Sequence, residues 1–280
     1  MSLKDLVVHV DPTERGEVRA ELAGALGWRH GAHVIGLHVI EPLPSAGYFP
    51  ADIGLYAGGE ALHELIRQRA IEAADQAERR FREPLRRHGV NGEWRVTQGG
   101  IAAQLAYQAR CVDLVIVGQL DPDRPPFGSA VPPPEQIVLS SGRPVLVVPN
   151  AARFQGIGDR VLVAWNGGRE AARAVNDALP FLVKASSVTV LTVNPEVARA
   201  EAPAVDIIRH LARHGVRADA THKLAADIGV GDALLNHATE LPTDLVVMGA
   251  YGYSCLRELV LGGATRSVLR HMTVPVLMSH

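Results

Sequence analysis

The feature that most constrains this chain is that it is written twice. "DLVIVG" at Asp113–Gly118 returns as "DLVVMG" at Asp244–Gly249, and "RPVLVVP" at Arg143–Pro149 returns as "VPVLMSH" at Val274–His280. Asp113 and Asp244 lie 131 residues apart, as do Pro144 and Pro275, so both segments repeat in one register without a gap. "HGV" recurs from His88 to His214 at a spacing of 126, which a five-residue difference in the connecting segments explains. One large mixed domain does not account for these matched spacings, whereas two copies of one unit do.

Each copy alternates strand patterns with helix patterns. In the first, "LVVHV" is a continuous apolar run of the kind a strand buried on both faces requires. A helix from about Glu14 to Trp28 follows, then the strand "HVIGLHVI", a charged helix from about Gly59 to His88, the strand "EWRVTQ", the helix "AAQLAYQAR", and the strands "DLVIVG" and "PVLVV". The second copy has strands "RVLVAW", "SVTVLTV", "VRADATHK", "DLVVMG" and "PVLMS". Its helices are expected near Arg169–Leu182, Pro203–His214, Val230–Glu240 and Ala264–Arg270. Alternating βα units imply parallel sheets with right-handed crossovers. The expectation is an α/β chain of two doubly wound five-stranded parallel sheets, one in residues 1–150 and one in 156–280, joined through "PNAARFQGIGDR".

Composition narrows the function. With 47% hydrophobic residues there is ample core, and a formal charge of −2 without a basic tail argues against nucleic acid as a partner. The N-terminal "MSLKDLVVHVDP" lacks the apolar stretch of a signal peptide, and no apolar run reaches bilayer length, so no membrane partner is expected. Two cysteines, Cys111 and Cys255, do not make a disulfide framework in a chain of 280 residues. A cytoplasmic location is the expectation.

The stretch with most chemical content is "GAYGYSCLRELVLGGAT", Gly249–Thr265. It leaves the carboxyl end of a buried strand, where open α/β sheets hold ligands at the point at which strand order reverses. Gly262 and Gly263 then lead into the helical "ATRSVLRH". A glycine-rich helix entry presents free N–H groups and the positive end of the helix dipole to an anion, with Thr265 as a hydroxyl donor and Arg266 nearby. No G-x-x-x-x-G-K-[ST] phosphate loop occurs in the chain. "GVGDAL" at Gly229 has the wrong residue, Leu234, at its third glycine position, and is set aside. Glycines also end strands and helices for purely conformational reasons, so the ligand reading rests on the whole spacing.

At these residues the sequence resembles the universal stress protein family, in its tandem two-domain form. Gly249, Gly252 and Gly262 fit the family's G-x2-G-x9-G-[ST], with Gly263 standing where a hydroxyl residue is expected and Thr265 keeping one nearby. The resemblance runs strand for strand over both halves. It implies an adenine nucleotide alpha hydrolase-like fold of strand order 3-2-1-4-5, packed as a pseudo-dimer through the fifth strands, and it leaves a homodimer of such chains open. It also implies ATP, alone or with Mg2+, as the bound cofactor. The family's aspartate after the first strand becomes Asp11 in the first half and Asn166 in the second. Backbone at the end of the second strand, about Val39 and Val193, contacts adenine in the family.

The implied nucleotide-binding residues are Ala164, Trp165, Asn166, Val193, Met248, Gly249, Gly252, Gly262, Gly263, Ala264 and Thr265. In the first half the 131-residue offset sets Asp121, Val131 and Pro132 opposite Gly252, Gly262 and Gly263, and prolines there remove N–H donors. The first copy is therefore read as degenerate, with Gly128–Ser129 left open for a different ligand. A stress-response protein that binds ATP in its second half is the leading reading. A scaffold of the same fold without nucleotide, and a slow ATP hydrolase, remain as alternatives. No catalytic residue is assigned, because no general base is visible near the loop. His210 and His214 could share a metal, but no third ligand is evident, so no metal is assigned. Residues 41–59 read as a lid, a partner surface or a plain loop, and Cys255 as a passive thiol.

Overall fold

The structure is a computed structural model of the 280-residue chain. It describes residues 2–42, 59–120, 133–150, 153–154, 156–194, 204–225, 228–252 and 263–280. Among them are ten strands and eight helices. The first half contains β1 (Asp5–His9), α1 (Glu14–His30), β2 (His33–Ile40), α2 (Gly59–His88), β3 (Gly92–Gln98), α3 (Ile101–Ala109), β4 (Leu114–Gly118), α4 (Pro134–Ser140) and β5 (Val145–Val148). The second contains β6 (Arg160–Ala164), α5 (Arg169–Leu182), β7 (Ser187–Val193), α6 (Val205–Arg213), β8 (Ala218–Lys223), α7 (Val230–Glu240), β9 (Leu245–Gly249), α8 (Ala264–His271) and β10 (Val276–Ser279).

Each half has the expected order 3-2-1-4-5, with every pairing inside a half parallel. The halves are not separate sheets. β5 and β10 pair antiparallel, with Leu277 opposite Leu146, so one sheet of ten strands runs across the molecule. The physical reason lies in the strands themselves. "VLVV" and "VLMS" are apolar and fully buried, and a lone edge of that kind leaves its backbone groups unpaired. Pairing the two edges removes both liabilities.

Because the inner strands are largely apolar runs, their alternate residues feed two cores, while the outer strands β3 and β8 are half-exposed. On one face Leu6, Val8, Val161 and Val163 pack against α1, α2, α5 and α6, with Phe81 and Phe181 wholly buried. On the other, Val7, Val115, Val246 and Met248 pack against α3, α4, α7 and α8. The repeated aspartate is structural. Asp113 accepts the Lys4 and Asp5 backbone N–H groups, at 2.7 and 3.1 Å from Oδ2, and Asp244 accepts those of Gly158, Asp159 and Arg160, so each ties down the start of its own half's first strand.

Gln119, at the end of β4, reaches across the halves. Its Nε2 donates to the carbonyls of Leu269 and Arg270, both at 2.9 Å, near the end of α8. Arg29 makes a second tie, donating to Ile157, Gly158 and Lys184 carbonyls. No helix among the described residues is long and apolar enough to cross a membrane.

Candidate functional site

In the second half a cavity of about 410 Å3 opens at the carboxyl ends of β6, β7 and β9. It sits at the switch point: β6 pairs with β7 on one side and β9 on the other, and chain order reverses there. The floor is apolar, formed by Ala164, Leu191, Val193, Leu234 and Met248. The rim carries Trp165, Asn166, Gly249, Tyr251 and Gly252. This volume is within the ordinary range for a small-molecule site.

Three helices begin at this cavity. α5 contributes Glu170 and Ala171, α7 contributes Val230, and α8 contributes Ala264 and Thr265. Each has a glycine at its N-cap (Gly168, Gly229 and Gly263), and none of these caps makes a side-chain hydrogen bond. The first turn of an α-helix has N–H groups without intrahelical partners, and the helix dipole adds positive potential there. Three such ends therefore converge on one apolar hole. In the first half, by contrast, Thr13 caps α1 with its own side chain, accepting from Gly16 N–H at 3.3 Å.

The glycines set the spacing. A Cβ on Gly249 would lie 2.5 Å from the Ala171 nitrogen and 2.6 Å from the Glu170 carbonyl carbon, so glycine alone lets α5 start this close to β9. A Cβ on Gly231 would lie 2.8 Å from the Ala264 carbonyl oxygen, which holds α7 against α8, where Ser267 Oγ also donates to Asp232 Oδ1 at 2.5 Å. The glycines of "GVGDAL", set aside above as coincidence, are thus part of the cavity's construction, though not as a dinucleotide fingerprint.

Tyr251 has φ +52°, a left-handed conformation that costs a non-glycine residue energy and clusters at functional loops. Its N–H donates to Thr265 Oγ1 at 3.4 Å. The buried Thr265 hydroxyl accepts that bond and keeps its own proton for a further acceptor. Asn166 Oδ1 accepts from Gly168 N–H at 2.9 Å, which fixes the turn into α5 and leaves its amide NH2 as the donor group.

Of the implied binding residues, Ala164, Trp165, Asn166, Val193, Met248, Gly249, Gly252, Ala264 and Thr265 line the cavity together. Gly263 stands immediately before them as the α8 N-cap. Gly262 and Cys255 lie outside the described residues, as do residues 43–58, Asp121, Gly128, Ser129, Val131 and Pro132. Sequence reasoning missed Glu170, Ala171, Leu191, Val230, Leu234 and Tyr251. The apolar ones follow from the strand and helix periodicity once β6, β7, β9 and α7 are known to meet. Glu170 had no motif to mark it.

Glu170 is buried, 6% exposed. Burial opposes its ionisation, but the Arg169 guanidinium, its own backbone N–H and the more distant His280 outweigh that and hold the carboxyl below its usual range. Arg169 Nε donates to Oε1 at 2.8 Å from an otherwise exposed side chain.

The first half is built differently at the matching positions. The helix caps Thr13 and Gly168 set an offset of 155, which places Asp11 opposite Asn166, His9 opposite Ala164 and Arg19 opposite Ala174. Asp11 and Arg19 form a buried pair, Nη2 to Oδ2 at 2.6 Å, with exposures of 1% and 2%. Arg19 Nε also donates to the His9 carbonyl at 2.8 Å. Burial works against ionisation of Asp11, yet Arg19 and the Thr13 hydroxyl hold its carboxyl well below the ordinary carboxylate range. His9 is buried, and burial together with Arg19 pushes its pKa down to about 3, so the ring is neutral and uncharged where the second half has only a methyl group. The aspartate that resembles the family's ligand contact is therefore committed to an internal salt bridge.

His210 and His214 meet edge to face, ring centroids 4.7 Å apart. Among the described residues no group of three or more His, Cys, Asp or Glu side chains is placed to hold a metal ion.

Taken together, the fold defines a class: a tandem doubly wound α/β protein with a ligand-sized cleft at the switch point of its second half. Comparison with known proteins shows what the chain is similar to. Residues 158–280 match the model of the universal stress protein family. A universal stress protein of Synechocystis sp. is 31% identical over 147 residues, an alignment covering 51% of this chain and 49% of that protein, so the chain spans about half the length of the curated relative it matches. The crystal structure of a universal stress protein from Archaeoglobus fulgidus superposes with a TM-score of 0.74 at 17% identity, covering 98% of this chain and 95% of that one. A protein of unknown function from Pseudomonas aeruginosa PAO1 superposes with a TM-score of 0.59 at 15% identity, covering 99% and 92%. Residues 158–280 are thus similar to the universal stress protein family, and the remainder of the chain repeats that region's strand order.

Proposed function

We propose that this protein is a cytoplasmic stress-response regulator that binds an adenine nucleotide, ATP in particular, in the cavity of its second half. The observation that carries the reading is the convergence of three glycine-capped helix N-termini on an apolar cavity at the switch point. A purine ring fits the apolar floor, and the backbone N–H groups around Gly252, Ala264 and Thr265 suit phosphate oxygens. Any Mg2+ would travel with the phosphates. Residues 1–150 and 156–280 act as two domains of an internal pseudo-dimer, a reading supported by the β5–β10 pairing. The first domain, with Asp11 tied to Arg19, serves as the structural partner.

The test is calorimetry with ATP and AMP on the wild type and on a chain carrying Gly252→Val with Gly262→Val. The expected result is saturable wild-type binding that the double change removes. A wild type that binds neither nucleotide sinks the reading and leaves a ligand-free scaffold. Sustained ATP turnover, lost in the double variant, makes the protein an ATPase instead.

A further inference from the structure

We propose that Glu170 is a built-in anion of this site and sets its selectivity by charge, disfavouring Mg2+-free ATP relative to adenosine, with AMP between them, and leaving Mg2+-neutralised ATP as the triphosphate form the site takes. The inference rests on the nucleotide reading above and deepens it. Glu170 is the second residue of α5, in the turn whose free N–H groups face the cavity. Its Oε1 is held by Arg169, while Oε2 lies 3.4 Å from the position of a Cβ on Gly252 and 3.4 Å from that of a Cβ on Gly168. The carboxylate thus stands beside the glycine whose backbone would cradle a phosphate. The half-to-half comparison sets it apart. At the offset of 155 Glu14 and Arg15 of the first half stand opposite Arg169 and Glu170, so the acid and base are in reversed order. Glu14 is exposed and paired with Arg153, whereas Glu170 is turned into the cavity lining.

An anionic ligand group seated on Gly252 must share this space with a buried carboxylate, whose partner Arg169 is 73% exposed and therefore well screened. Two unit charges about 6 Å apart, at an effective dielectric between about 20 and 80, change a binding constant by roughly threefold to a hundredfold. The penalty grows with each phosphate charge and vanishes for an uncharged nucleoside.

The experiment is calorimetry of adenosine, AMP and ATP in EDTA and in Mg2+, on the wild type, Glu170→Gln and Glu170→Ala, with thermal melts to verify folding. The expected result is that both variants bind Mg2+-free ATP at least about tenfold more tightly than the wild type, gain less for AMP, and stay within about twofold for adenosine. Mg2+ should recover much of the wild-type deficit by neutralising phosphate charge. If the ATP-to-adenosine ratio is the same in all three proteins, the inference is overturned while the nucleotide reading stands. An equal loss for all three ligands overturns it too, since the carboxylate would then be a hydrogen-bond acceptor for the nucleoside. A wild type that binds none of them overturns the nucleotide reading itself, and this inference with it.

Discussion

Gly249 and Gly252 look alike in sequence, and the structure gives them opposite kinds of work. A methyl group added at Gly249 would meet the Ala171 nitrogen at 2.5 Å and the Glu170 carbonyl carbon at 2.6 Å. These are backbone atoms in the first turn of α5, so relief requires that helix to move off β9. Overpacking of this kind costs roughly 1–3 kcal/mol. Among the described residues, a methyl group added at Gly252 meets only the Glu170 carboxyl, at 3.4 Å from Oε2, an ordinary contact, and the backbone there is not left-handed. Its stability cost should stay within about 0.5 kcal/mol. It does, however, stand on the cavity rim beside the proposed phosphate position, so Gly252→Ala should weaken ATP by about tenfold, or ~1.4 kcal/mol. Urea denaturation and calorimetry on both variants separate the roles. Gly252→Ala unfolding as readily as Gly249→Ala, or binding ATP as the wild type does, would refute this division of roles.

Three further outcomes follow from other parts of the molecule. Arg19→Ala strands Asp11 as a buried charge and should cost about 3–5 kcal/mol, while adding Asp11→Asn should recover part of it in a double-mutant cycle. His9 and His30 are buried and neutral, with pKa values pushed down to about 3 and about 4, whereas the unfolded chain binds their protons near pH 6.5. Their contribution to stability is therefore complete above pH 6.5 and lost as pH falls from there toward 4. The expected slope is about 1.4–2.7 kcal/mol per pH unit, and urea titrations showing a flat profile would refute it. Gln119→Ala removes two bonds to the end of α8 across the halves and should cost about 1–3 kcal/mol, with hydrogen exchange at Leu269–Met272 accelerated relative to the first half.

The number and parallel sense of the strands were legible in the alternating βα pattern, their order came with the family resemblance, and helix bounds such as Gly59–His88 and Arg169–Leu182 fall where periodicity set them. α4 was not legible. Its opening prolines were read only as removing N–H donors, and no helix was expected there, yet Pro134 occupies the first helical position, where a missing N–H costs nothing. Most of the cavity was legible too, since the glycine spacing and the strand ends converge on it. What the sequence hid were pairings between distant side chains and the use of common residues. Asp113 and Asp244 looked like markers of a repeat and turn out to anchor β1 and β6. Asp11 looked like a ligand contact and is bound to Arg19. Glu170 carried no motif and lines the cavity.

The most direct test of the account is the stoichiometry of adenine-nucleotide binding per chain, measured calorimetrically at saturating AMP and at saturating ATP with Mg2+. One nucleotide per chain, lost in Gly252→Val and retained in Asp11→Asn, is the result expected if the second half alone holds the ligand. Two nucleotides per chain, none, or a single site that survives Gly252→Val and disappears with Asp11→Asn would contradict it.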